Sequence, residues 1–241
     1  MSTATTSDRR VLVVHHDHAS PAGPVADRFA EQGFEVVDHL VVPAESFHAP
    51  GVAASFPDFP GFDAVVLLGS PWSAYDALVD SWVAPEIAQL RRADAAGVPV
   101  LGICFGGQLL AAAHGGGVAA SPSPEVGWAD IETDDSAVVP AGPWFQWHYD
   151  RWTLPPDATE LARNTAASQA FVLRRNLALQ FHPELTAPSL AGWLDNGGAA
   201  LAASQGIDAA SLTERTDQEG PDSVRRARAL VDGFLKFVAA R

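Results

Sequence analysis

The sequence holds a single cysteine and a single methionine among 241 residues. One cysteine excludes an intramolecular disulfide and suits a reducing compartment. Positive charge is scarce: 15 Lys and Arg stand against 29 Asp and Glu, a formal net charge of −14. That balance argues against a nucleic-acid backbone or an anionic membrane surface as the main partner. It carries no information about fold, and a well-solvated surface accounts for most of it. No apolar run reaches the roughly 18 residues of a membrane span. Met1 to Arg10 is polar and lacks the apolar stretch of a signal peptide. The expectation is a cytoplasmic protein that binds neither nucleic acid nor membrane.

Apolar residues make up 47% of the chain and charged ones 18%, enough for one large core. A single domain over residues 1–241 is expected, with a core at about 9–185 and a helical C-terminal extension at about 186–241. Val11–Val14, Phe34–Leu40, Ala64–Leu68 and Val98–Ile103 read as strands. Pro21 to Gln32 and Asp80 to Ala96 read as helices closed by Gly33 and Gly97. A loop rich in Pro, Ala and Phe spans about Pro43 to Phe62. Strands apolar throughout, alternating with helices, predict an α/β fold: a mostly parallel central sheet with helices on both faces. Ligands in such sheets bind beyond the carboxyl ends of the strands. His15, Gly69-Ser70 and Cys104 all fall at such ends.

After a helix at about Gly106 to Ala113 the pattern changes. Val126–Glu132, Glu160–Arg163, Ala170–Leu173 and Leu177–Phe181 predict an antiparallel extension that returns to the sheet. Thr186 to Arg241 reads as a helical tail with a polar break at about Thr213 to Pro221. The last tail helix carries an apolar stripe of Val224, Leu230, Val231, Phe234, Leu235 and Val238.

A lone cysteine is either a small buried hydrophobe or a nucleophile, and composition does not choose. Its neighbours are more informative. Gly102-Ile103-Cys104-Phe105-Gly106-Gly107-Gln108 lies where a strand must turn sharply into a helix. Glycines two residues either side let backbone pack close without a Cβ clash. The helix N-terminus favours a thiolate beside it and offers free N–H groups to an oxyanion. Downstream, Gln180-Phe181-His182-Pro183-Glu184 ends a predicted strand, so His182 and Glu184 share a face. A base that takes the thiol proton and a carboxylate that fixes its tautomer need that arrangement.

These two motifs together resemble the glutaminase domain of the class I, triad-type glutamine amidotransferases. The likeness runs from about Val11 to Glu184, and is nearest to free-standing members similar to the glutaminase domain of GMP synthase. It implies Cys104 as nucleophile with His182 and Glu184 as partners, and no metal or other cofactor. It also implies an oxyanion hole from the N–H groups of Ser70 and Phe105. Ser70, in the Gly69-Ser70-Pro71 turn, stands where the family more usually has glycine. Gly69, Gln108, His148, Tyr149 and Asp150 then fall at substrate-binding positions. In Gln146-Trp147-His148-Tyr149-Asp150, Trp147 replaces a small residue and Tyr149 a glycine, so the pocket wall must differ. A structural role for His148 and a solvated one for Asp150 stay open.

Three readings follow. The chain is a glutaminase that cleaves glutamine through a γ-glutamyl thioester and passes ammonia to a separate synthase subunit. Alternatively it is a stand-alone hydrolase of γ-glutamyl amides, as in the related γ-glutamyl peptidases, which a bulky Trp72 and Trp147 favour. Or it is a non-catalytic binding protein of the same fold, which the intact triad disfavours. His15, His16 and His18 match no metal-ligand spacing and are expected at the mouth of the site instead. Trp72, Trp144, Trp147 and Trp152 are expected in core or rim packing.

Overall fold

A computed structural model describes residues 9–241. Of the polar N-terminal stretch, Met1–Asp8 lies outside the described residues. Among the described residues nine strands form one mixed sheet: β1 (Arg9–His15), β2 (Phe34–Leu40), β3 (Ala64–Leu67), β4 (Val100–Ile103), β5 (Gly117–Thr133), β6 (Gly142–Thr153), β7 (Thr159–Arg163), β8 (Ser168–Leu173) and β9 (Asn176–Leu179). Their spatial order is β2-β1-β3-β4-β9-β8-β7-β5-β6. The first five in that order pair in parallel, and the rest are antiparallel. Helices flank them: α1 (Gly23–Glu31), α2 (Asp80–Ala95), α3 (Phe105–Ala113), and the tail helices α4 (Ala187–Trp193), α5 (Ala199–Ser204) and α6 (Ala209–Gly233). The fold is the expected α/β sheet with an antiparallel extension and a helical tail.

Side-chain alternation along β1 shows why the central strands are apolar throughout. Val11 and Val13 join one core with Val25 and Phe29 of α1 and with Leu230, Val231 and Phe234 of the tail. Leu12 and Val14 join the opposite core with Trp82 and Leu90 of α2 and with Phe105 and Leu109 of α3. Each fully buried Val, Leu or Phe contributes roughly 1.5–3 kcal/mol, so covering both faces holds the parallel strands in place. A third cluster, including Phe145, Leu185, Leu190 and Leu212, joins α4 and α6 to β6.

The structure departs from expectation at three places. The polar break at Thr213 to Pro221 does not exist: α6 runs unbroken from Ala209 to Gly233 with Pro221 inside. Its buried stripe there is carried by Thr216 and Ser223, which accept burial without reading as apolar, and Trp128 donates its indole N–H to Thr216 at 3.0 Å. Pro221 is exposed, and so is Asp217, whose carbonyl it leaves without an intrahelical partner. Second, the segment containing Trp147 and His148 is a strand, β6, paired along the length of β5. Third, β9 ends at Leu179, and His182 to Glu184 lie beyond it in a turn.

Candidate active site

The turn from β4 into α3 builds the site. Cys104 sits at φ 50°, ψ −105°, a left-handed conformation that costs roughly 1–3 kcal/mol in a non-glycine residue. The surrounding packing leaves no alternative. A Cβ on Gly102 would stand 2.6 Å from the Gly106 backbone, and one on Gly106 would stand 2.5 Å from Leu67. Strand and helix therefore approach as closely as glycine permits. The Cys104 N–H donates to the Leu179 carbonyl at 2.7 Å, and the Gly106 N–H donates to the Leu68 carbonyl at 3.2 Å. Phe105 occupies the first helical position, so its N–H has no intrahelical acceptor.

His182 and Glu184 are brought together by a tight turn rather than by strand alternation. The His182 N–H donates to the Phe145 carbonyl of β6 at 2.9 Å, which anchors the turn outside β9. The Nδ1–H then donates to Glu184 Oε1 at 2.7 Å. Both side chains are buried, 4% and 1% exposed, and Cys104 is 5% exposed. Burial pulls the His182 pKa down. The charges of Glu184 and Cys104 and the hydrogen bond to Glu184 outweigh it, so the value lies well above the ordinary one. Nε2 has no partner at normal hydrogen-bond geometry, which leaves it available beside the sulfur. Trp193, the last residue of α4, packs edge-on against the His182 ring, 4.9 Å between centroids.

Around Cys104 opens a cavity of about 490 Å³. It brings together Gly69, Ser70, Cys104, Phe105, Gln108, His148, Tyr149, Asp150 and His182, while Glu184 stands behind His182. Gly69 is tight against the two reactive groups: a Cβ there would lie 2.9 Å from His182 Cε1 and 3.8 Å from Cys104 Cβ. Gln108 donates from Nε2 to the Asp150 carbonyl at 3.3 Å. The Asp150 carboxylate accepts from the Ser73 hydroxyl at 2.5 Å and the Tyr75 hydroxyl at 2.7 Å. His148 spends both ring nitrogens on the protein, at the Asp150 carbonyl and at Glu125 Oε2, each 3.0 Å away.

Several lining residues escaped the sequence. Phe47, His48 and Pro50 arrive from the long loop after β2, and Trp193, Gly198 and Leu201 from the tail. No local pattern marks them, because they belong to the site only through folding. Trp72 and Trp147 are rim residues as expected, whereas Trp144 and Trp152 are core. His15, His16 and His18 do not line the mouth, contrary to expectation; Asp17, Ala19 and Ser20 do. His15 bonds Asp38 and the Ser20 carbonyl, His16 is fully buried, and His18 packs on Phe47. Among the described residues no group of three or more His, Cys, Asp or Glu converges on a metal-sized centre.

A buried histidine–carboxylate pair, a cysteine on a strained elbow and a cavity at the parallel strand ends match a known pattern. The family model of class-I glutamine amidotransferases matches residues 27–194. The chain belongs to the class-I glutamine amidotransferase family. It is 33% identical over 230 residues to the glutamine-hydrolyzing GMP synthase of Aeropyrum pernix, covering 90% of this chain and 42% of that protein. To the corresponding enzyme of Rhodopseudomonas palustris it is 40% identical over 134 residues, 51% of this chain and 24% of that one. The chain thus spans less than half the length of these relatives. A glutamine amidotransferase structure from Thermotoga maritima superposes with a TM-score of 0.80 at 25% identity, covering 95% of this chain and 98% of that one. One from Methylobacillus flagellatus gives 0.79 at 24% identity, covering 95% and 94%, and shares the fold. No helix among the described residues is long and apolar enough to cross a membrane.

Proposed function

We propose that this protein hydrolyses the side-chain amide of glutamine through a γ-glutamyl thioester on Cys104. The observation that carries this reading is the buried His182–Glu184 pair beside a nucleophile elbow at the floor of a cavity. His182 Nε2 takes the Cys104 thiol proton, the sulfur attacks the amide carbon, an Sγ–C bond forms, and the carbonyl electrons move onto oxygen. The N–H groups of Ser70 and Phe105 receive that oxyanion, each worth roughly 3–4 kcal/mol. His182, held protonated by its raised pKa, gives its proton to the leaving nitrogen as the C–N bond breaks and ammonia departs. Water then attacks the thioester, His182 takes its proton, and the carbon–sulfur bond breaks to release glutamate. Glu184 fixes the ring so that Nε2 carries this traffic.

The substrate's α-ammonium is assigned to Asp150, whose carboxylate the Ser73 and Tyr75 hydroxyls hold in place. Gln108 and the backbone at Gly69 and Tyr149 border the rest of the glutamyl group. His148 serves as a wall fixed through Glu125. Likeness to GMP synthases supports a separate ammonia-accepting synthase subunit as partner, in the cytoplasm.

A second reading rests on the cavity's apolar wall. Phe47, Trp72, Leu78, Trp147, Trp193 and Leu201 line a space wider than ammonia requires. That wall suits a γ-glutamyl amide with a large amine, hydrolysed without a partner by the same steps. Incubation with glutamine and a panel of γ-glutamyl amides, following glutamate release, separates the readings. Release from none of them would contradict both.

A further inference from the structure

His16 and Glu86 form an ion pair with both side chains at 0% exposure, placed against the proposed oxyanion turn rather than in the cavity. His16 Nε2 donates to Glu86 Oε1 at 3.0 Å and Oε2 at 3.2 Å. Its Nδ1 donates to the carbonyl of Gly69 at 3.1 Å. The ring stacks on Trp82 and meets the Phe105 ring edge-on, with centroids 5.7 Å and 4.7 Å apart. A buried ion pair is rarely the cheapest way to fill a core, since apolar residues of like volume do as well or better. Its contact with Gly69 gives it a different purpose.

We propose that the His16–Glu86 pair is a positioning device that holds the Gly69–Ser70 peptide with its N–H turned toward Cys104. The peptide is planar and trans, so its carbonyl and N–H point in opposite directions. His16 holds the Gly69 carbonyl on the buried side. The Ser70 N–H therefore faces the other side, where Gly69 and Ser70 line the cavity with Cys104. Glu86 orients the imidazole and keeps a proton on each nitrogen, so that Nδ1 always has one to donate. His16 also packs under Phe105, the second proposed donor, so one ring braces both. Sequence gives little sign of this, because Glu86 comes from α2 and meets His16 only in the folded protein. The inference rests on the reading of Ser70 and Phe105 as the oxyanion site.

The test compares two reactions of Cys104. Acylation by p-nitrophenyl acetate forms an Sγ–C bond through a tetrahedral oxyanion and expels p-nitrophenolate. Alkylation by iodoacetamide forms an Sγ–C bond by direct displacement of iodide and uses no oxyanion hole. His16→Gln keeps an amide near the Nε2 position for Glu86 but removes the donor to Gly69. Acylation is expected to fall about tenfold to hundredfold, with alkylation held within about twofold. His16→Asn/Glu86→Gln puts an amide nitrogen at the Nδ1 position without stranding a carboxylate, and should restore most of the loss. His16→Phe/Glu86→Leu removes the donor without leaving a buried charge, and serves equally if His16→Gln does not fold. Unchanged acylation in the donor-less variants, or an equal fall in both reactions, would overturn the proposal. Neither reaction needs glutamine as substrate. A wild-type protein that releases no glutamate, yet shows the selective fall, loses the functional reading and keeps the positioning role.

Discussion

His182 and Glu184 meet through a 2.7 Å hydrogen bond between Nδ1 and Oε1, both side chains buried, in a turn pinned to β6. Because Nδ1 is committed, only Nε2 is left for chemistry. His182→Ala should therefore remove nearly all glutamate release, about a million-fold. Glu184→Gln keeps much of the geometry but weakens the orientation and charge support, and should cost less, about ten-thousand-fold. Steady-state kcat of the two variants decides this, and an intact His182→Ala enzyme would require another base.

Gly69 is confined by the reactive groups themselves. With a Cβ placed 2.9 Å from His182 Cε1, Gly69→Ala must displace the ring from its bond to Glu184. A fall in kcat of roughly tenfold to hundredfold is expected, together with a lowered Tm, since shifting the ring strains the buried His182–Glu184 hydrogen bond. Equal kcat would mean that the ring has freedom the packing denies.

The Trp147 wall makes leaving-group size a readout. Trp147→Ser should lower kcat/KM for γ-glutamyl anilide about tenfold, from the lost burial at about 25 cal/mol per Å². For glutamine, whose ammonia cannot reach that wall, the change should stay within about threefold. Equal losses for the two substrates would place Trp147 against the glutamyl group instead.

His16 and His182 both bind protons more tightly when folded than the ordinary value of 6.5 allows. For each, burial opposes the shift and a carboxylate reverses it: Glu86 with Asp17 beside His16, Glu184 beside His182. The resulting stabilisation is fully present below about pH 6.5. Above that the unfolded chain loses its protons first, so unfolding free energy declines as pH rises through the folded values. Urea titrations should show this decline in wild type and a shallower one in His16→Phe/Glu86→Leu. A profile that rises with pH would reverse the sign.

Much of this was legible in the residues. β1, β3 and β4 are continuous apolar runs because both faces are covered, and Gly102 through Gln108 spelled out a turn that only glycine can pack. The strand β6 was hidden because its mixed aromatic and polar residues show no continuous apolar run, and its pairing with β5 is long-range. The unbroken α6 was hidden because Thr216 and Ser223 fill buried positions that an apolar count passes over. His182 and Glu184 were paired for a reason the structure replaces, since a turn rather than strand alternation joins them. His16 looked like part of a histidine cluster; its partners, Gly69 and Glu86, lie far away in the chain.

A thioester between Cys104 and the glutamyl group has to be visible both in turnover and on the protein. Wild type and Cys104→Ala are given glutamine; glutamate release is followed, and the acid-quenched protein is weighed by mass spectrometry. Wild type should release glutamate and carry a γ-glutamyl adduct on the Cys104 peptide, and Cys104→Ala should do neither. Near-normal glutamate release by Cys104→Ala would contradict the thioester.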